Sequence, residues 1–229
     1  LLQVALAGLA IGGWMQVWVH FSFYGMYSEP VRSSYYLCFF DLGRLPRVLG
    51  YVALTTAYSF SLKQKMIIDV LTLASLFTYR VMAGGVAVSI PISEWLLAFS
   101  IFFFTSLAFV KRYSELIQVR ADGRMAIAGR GYVMADMPII VGAGLSSGFL
   151  AVLVFALYIN TPTIVEYYPR QDILWGICLV LVYWIMRIWF LAARDQMHDD
   201  PVLFAVKDRI SLIAGVIVVG LLLAARYLG

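Results

Sequence analysis

The chain reads as an all-α integral membrane protein, a bundle of about seven transmembrane helices. Three observations predict this. Of its 229 residues, 62% are hydrophobic and 13% charged, with a mean hydropathy of +0.87; soluble domains carry nearer a quarter charged residues. The apolar runs are mostly about twenty residues long, the length a helix needs to cross a bilayer. The short alternating segments of a membrane barrel are missing. Lipid offers the backbone no hydrogen-bond partners, so helices are the architecture that remains.

The chain is organised around 58–116, where two long apolar segments are joined by a turn at 89–93. Lys63, Lys65 and Asp69 enter the first segment, Arg80 lies deep within it, and Lys111, Arg112 and Glu115 leave the second. A hairpin of two spans returns both charged ends to one face. Taken in order, the predicted spans are 1–26, 46–62, 67–89, 93–110, 137–160, 172–193 and 210–228. The first is loosened by Gly8, Gly12 and Gly13, with Trp14, Trp18 and Tyr24 placed to sit at an interface. The linker 27–46 is expected to lie along the membrane surface. Gly144 and Gly148 form a GxxxG pair, with Gly142 nearby, which predicts close helix approach. No repeat or soluble domain is visible, so 1–229 is read as one domain.

Charge sets the orientation. Ten Lys and Arg residues fall in loops on one face, five on the other, and Arg80 and Arg187 lie in helices. The positive-inside rule puts the ten-charge face in the cytoplasm of a bacterial-type plasma membrane. That face also holds the long loops 111–136 and 194–209 with most of the acids. A lipid-active site opening there is the inference. The net charge of +4 favours anionic lipid or phosphate as partner; no nucleic-acid motif appears. Cys38 and Cys178 fit no disulfide or metal spacing and are read as free thiols.

The candidate chemistry has two readings at each position. Asp69, one turn inside a helix, suits Mg²⁺, with Lys63 and Lys65 neutralising phosphates; an acid at a helix N-terminus and snorkelling lysines explain the same residues structurally. Arg80, eleven residues on, points to nearly the same face about 16 Å deeper. It requires either a polar cavity or a partner on a neighbouring helix. Lys111, Arg112 and Glu115 suit a phosphate clamp with an acid for metal or hydroxyl contact; a Lys111–Glu115 pair at i,i+4 is the plainer reading. Arg120, Arg124 and Arg130 continue the basic loop, and Asp136 precedes a helix whose dipole suits it. His198, Asp199 and Asp200, with Asp195, look like a metal cluster, but Pro201 favours Asp200 as a helix cap. His20 falls in an apolar segment and suits a core or lipid-interface role.

Four stretches together carry a family resemblance: YSFSLKQKMIIDVLTLASLFTYRVMAGGVAV, WLLAFSIFFFTSLAFVKRYSEL, GRGYVMADMP and RDQMHDDPVLFAVKDRISL. They resemble the UbiA-type membrane transferases, and within them the decaprenyl-phosphate phosphoribosyltransferase branch. The resemblance covers roughly 45–212, with 1–45 matching poorly. It implies a nine-helix bundle around a cavity open to the cytoplasm and to lipid, of which seven helices are read here. It also implies Mg²⁺ held by two acid-rich motifs. The second falls at Lys111–Leu116 and reads KRYSEL, with Glu115 its one acid. That departure fits the phosphoribosyl branch, which joins a polyprenyl phosphate to phosphoribosyl diphosphate. The first motif, Asn-Asp-x-x-Asp-x-x-x-Asp, does not occur in this sequence.

Two functions therefore stand as expectations. One is a polyprenyl-phosphate phosphoribosyltransferase. Its phosphate-binding residues are Lys63, Arg80, Lys111, Arg112 and Arg130, with Asp69 and Glu115 toward Mg²⁺. The other is a catalytically degenerate UbiA-like subunit that binds lipid or pigment within a larger membrane complex. A transporter has less support, since no repeat is present.

Overall fold

A computed structural model describes residues 45–87, 93–121, 123, 125–127, 129–197 and 200–227. The expected segment 1–26 and nearly all of the 27–46 linker, with His20 and Cys38, lie outside these residues. So do Asp122, Arg124, His198, Asp199 and most of the 89–93 turn.

Every other expected span is a helix: α1 (Leu45–Phe60), α2 (Ile68–Ala87), α3 (Glu94–Ala121), α4 (Met137–Ile159), α6 (Gln171–Ala193) and α8 (Arg209–Tyr227). Two short helices intervene, α5 (Pro162–Tyr167) and α7 (Pro201–Lys207). Among the described residues there is no strand, only an isolated antiparallel bridge between Ala126 and Val133. Among the described residues, four helices are long and apolar enough to cross a membrane: α3, α4 with the turn before it, α6 and α8. The chain is thus an all-α membrane protein.

The boundary that differs most is at α3. The sequence reading ends this span at 110, yet the helix runs unbroken to Ala121. Its 28 residues extend about 42 Å, well beyond the ~30 Å hydrocarbon layer. Buried positions continue through Arg112, Ser114, Leu116 and Val119, so packing rather than lipid keeps the last turns helical. Lys111, Arg112 and Glu115 therefore stand on a rigid helix instead of a loop.

Consecutive long helices run antiparallel, as their cross-contacts show. Phe77 of α2 stacks on Phe104 of α3 at 5.1 Å, while Asp69 meets Arg112. The most extensive interface joins α3 and α4. A Cβ on Gly144 would fall 2.1 Å from the Trp189 ring of α6 and 2.9 Å from Phe109 Cβ of α3. On Gly148 it would meet Ile185 and Ser106 at 2.8 and 3.0 Å. The GxxxG pair is thus the groove that seats α3 and α6; Gly142 has nothing within 4 Å. Trp189 Nε1 donates to Ser106 Oγ at 3.3 Å, and Trp184 Nε1 donates to Ser211 Oγ of α8 at 2.9 Å. Cys178 is a free, buried thiol.

This alternation brings the C-termini of α1, α3 and α6 to the same end as the N-termini of α2, α4 and α8. Nearly all the buried charge lies there.

Candidate functional site

At this end α1 gives way to a 3-10 turn, Leu62–Gln64, and α2 begins at Ile68. The reversal passes through Ile67 at φ +66°, a left-handed conformation costly for a β-branched residue. The Ile67 N–H donates to Tyr132 Oη at 3.0 Å, which pins the turn to the loop before α4. That loop presses close. A Cβ on Gly131 would lie 2.7 Å from the Gln64 carbonyl oxygen. Gly129, at φ +71°, supplies the turn that carries Arg130 inward.

Asp69 is held here with no solvent exposure, as is Arg112. Arg112 Nε lies 2.8 Å from Asp69 Oδ2. The contact is off-axis, so neither atom has an aligned hydrogen bond, and Arg112 Nη2 has no partner among the described residues. Arg112 Nη1 also contacts Glu115 Oε2 one turn along α3. Arg130 reaches both acids: Nη1 to Asp69 Oδ1 at 3.2 Å, Nε to Glu115 Oε2 at 3.1 Å. Tyr58 Oη donates to Asp69 Oδ1 at 2.8 Å and lies 3.4 Å from Arg130 Nη1. Burial pulls the Arg130 guanidinium down, but Glu115, Tyr58 and Asp69 outweigh it and hold Arg130 above the ordinary arginine range. Burial pushes the Tyr132 phenol up.

Two further pairs flank this cluster. Lys111 Nζ contacts Asp200 Oδ2. Asp200 also caps α7, its Oδ1 accepting from the Val202 N–H at 3.1 Å. Arg187 donates to both oxygens of Asp208, at 2.6 and 3.1 Å. Asp208 Oδ2 accepts from the Ser211 N–H and hydroxyl at 2.8 Å each.

Four sequence-predicted residues converge: Asp69, Arg112, Glu115 and Arg130. Three others do not join them. Lys63 is half-buried in the nearby 3-10 turn and makes no bond among the described residues. Lys111 pairs with Asp200, not with Glu115 at i,i+4. Glu115 is turned to the two arginines instead. Arg80 does not enter the cluster from below. Its Nε and Nη2 bond Tyr51 Oη of α1 at 3.0 and 2.7 Å. Asp136 accepts from the Val133 N–H at 2.9 Å, capping the 3-10 turn Met134–Asp136, and makes no side-chain cap on α4 itself. Tyr58 and Tyr132 went unnoticed in the sequence, because their roles depend on the fold that brings them to Asp69 and Ile67.

The expected metal ligands behave differently from a metal site. Asp69 and Glu115 each face guanidinium groups. No group of three His, Cys, Asp or Glu side chains lies together among the described residues. Mg²⁺ takes oxygen ligands in octahedral geometry. Two carboxylates already neutralised by arginine do not by themselves fit it.

The fold and the site define a helical membrane protein with a buried cluster of paired arginines and carboxylates at one end. Comparison with known proteins sharpens the class. No family model matches the chain. The chain is 37% identical over 169 residues to the uncharacterized protein y4nM of Sinorhizobium fredii, covering 73% of this chain and 33% of that protein. It is 34% identical over 179 residues to the nodulation protein NoeC of Azorhizobium caulinodans, covering 78% and 57%. It is 26% identical over 179 residues to the decaprenyl-phosphate phosphoribosyltransferase of Mycolicibacterium smegmatis, covering 77% and 56%. The chain thus spans a third to somewhat over half the length of these relatives. As a homologue of decaprenyl-phosphate phosphoribosyltransferases and of NoeC, it belongs to the UbiA-type superfamily of membrane transferases.

Proposed function

We propose that this chain forms the membrane core of a transferase that joins a polyprenyl phosphate to phosphoribosyl diphosphate. The observation that carries the reading is the convergence of Arg112 and Arg130 at the bundle end, beside the lysines at 63 and 111. Guanidinium groups bind phosphate through paired donors, and a buried site makes each contact count for more than in water. Arg112 Nη2 has no acceptor among the described residues and is suited to a phosphate oxygen.

In this reading a lipid phosphate oxygen attacks the anomeric carbon of the sugar. The bond from that carbon to the diphosphate oxygen breaks, and diphosphate departs with the bonding electrons. Arg112 and Arg130 stabilise the charge gathering on the leaving group. Lys63 and Lys111 line the approach, and Asp69 and Glu115 hold the arginines in place. We place this end on the cytoplasmic face of a bacterial-type plasma membrane, because most of the chain's basic loop residues lie there.

Labelled phosphoribosyl diphosphate, incubated with membranes carrying the protein and decaprenyl phosphate, tests this. Label entering the lipid fraction only when both substrates are present supports the reading. No transfer to any polyprenyl phosphate contradicts it.

One observation favours a second reading. The two arginines and two carboxylates balance in charge, as in a purely structural network. A catalytically degenerate subunit holding lipid or pigment in a larger complex would show this. It predicts stable co-purification with other membrane proteins and no turnover. Activity of the isolated protein rules it out.

A further inference from the structure

We infer that Arg80 and Tyr51 form a second anion site, separate from the cluster, which takes the phosphate group of a lipid. This inference does not rest on the transferase reading.

Arg112, Arg130 and Arg187 each meet a carboxylate. Arg80, within the apolar length of α2, meets none among the described residues. Its only hydrogen-bond acceptor there is a neutral phenol. Both bonding nitrogens, Nε and Nη2, converge on Tyr51 Oη. A guanidinium carries five N–H donors, so most remain unspent, including both on Nη1. The Tyr51 O–H is a further donor with no acceptor among the described residues. Among the described residues, donors thus gather at a place with no further acceptor and no counter-charge for Arg80. An anionic group with several acceptor oxygens satisfies both conditions.

The surroundings hold this arrangement in place. The Phe77 ring lies 5.1 Å from the guanidinium carbon. Tyr51 stacks on Tyr79 at 5.8 Å. Arg80 is half-buried, so one side of it stays open. It sits seven residues from the end of α2, and Tyr51 six from the start of α1. Both are therefore about 10 Å inside the bundle end opposite the cluster. Asp69 is about 16 Å away along α2. At that depth a lipid head group drawn in by local thinning reaches the site, as bilayers accommodate intramembrane arginine.

The test uses the protein in nanodiscs of phosphatidylcholine with a minor share of phosphatidylglycerol, lipid retention being counted by native mass spectrometry. Wild type is expected to retain phosphatidylglycerol selectively. Arg80→Gln loses the selectivity. Tyr51→Phe keeps the ring and its stack but weakens retention about tenfold, as loss of a hydrogen bond to a charged group does. Because Tyr51→Phe preserves the packing, it stands as the reading if Arg80→Gln does not fold. A parallel titration with inorganic phosphate separates the sources: binding that depends on Arg80 without lipid retention assigns the site to a soluble phosphate. Undiminished selectivity in both folded variants overturns the inference.

Discussion

Asp69 of α2 and Arg112 of α3 meet at 2.8 Å, and neither side chain has any exposure to solvent. Charges that deep are kept only when they compensate one another. Removing one partner leaves the other only partly compensated by Arg130 or Glu115, at a cost of up to about 3–5 kcal/mol. Asp69→Ala should therefore lower stability by that order, and Arg112→Met likewise. The double variant should cost clearly less than the sum. Thermal unfolding in detergent across this cycle checks the coupling.

The glycine groove makes a contrasting prediction within a single turn of α4. Gly144→Ala drives a methyl into the Trp189 ring and should cost about 1–3 kcal/mol. Gly142→Ala meets nothing within 4 Å and should be neutral or slightly stabilising, since alanine favours helix. Paired melting curves of the two variants decide it.

Ile67 offers a gain. Its left-handed φ costs a β-branched residue about 1–2 kcal/mol, and its side chain is largely exposed. Ile67→Gly should be neutral to stabilising by about 1 kcal/mol. Tyr132→Phe should act oppositely, removing the acceptor for the Ile67 N–H at a cost of about 1–3 kcal/mol if that N–H stays buried. The same melting assay reads both.

Much of this was legible in the sequence. Apolar length alone located the six long helices α1, α2, α3, α4, α6 and α8, while the short α5 went unpredicted. Charges at the ends of apolar segments drew attention to Asp69, Arg112 and Glu115 before any contact was known, whereas the charge placed deep in an apolar segment, Arg80, lies outside the cluster. What stayed hidden was pairing. Local spacing offered Lys111–Glu115, but Asp200, distant in sequence, takes Lys111 because α7 docks beside α3. The eleven-residue spacing of Asp69 and Arg80 gave their shared face, yet not that Tyr51 draws Arg80 toward α1. The full length of α3 was masked by its polar last turns, which tertiary packing holds helical.

Acid should loosen the joint between α6 and α8. Burial pushes the Asp208 carboxyl up, but hydrogen bonds from Arg187 and Ser211 outweigh it and hold it below the usual carboxylate range. A folded-state pKa below the unfolded value gives stability that is present above the unfolded pKa, about 3.9. That stability is lost as pH falls through the lower folded value. Asp208→Asn should therefore be less stable than wild type near neutral pH, with the gap closing in strong acid. A pH series of melting temperatures shows whether it closes.

In the proposed function Arg130 and Arg112 serve phosphate chemistry and do more than hold helices together. The most direct test is the rate of phosphoribosyl transfer to decaprenyl phosphate in proteoliposomes, comparing wild type with Arg130→Gln. Arg130 is partly exposed and stands on a loop, so its loss should destabilise less than loss of the fully buried Arg112, and rates are compared at a temperature where both proteins are folded. Transfer by wild type and a fall of about 10²–10³-fold in the folded variant are expected. Equal rates in the two proteins, or no transfer by wild type, would contradict the proposed function.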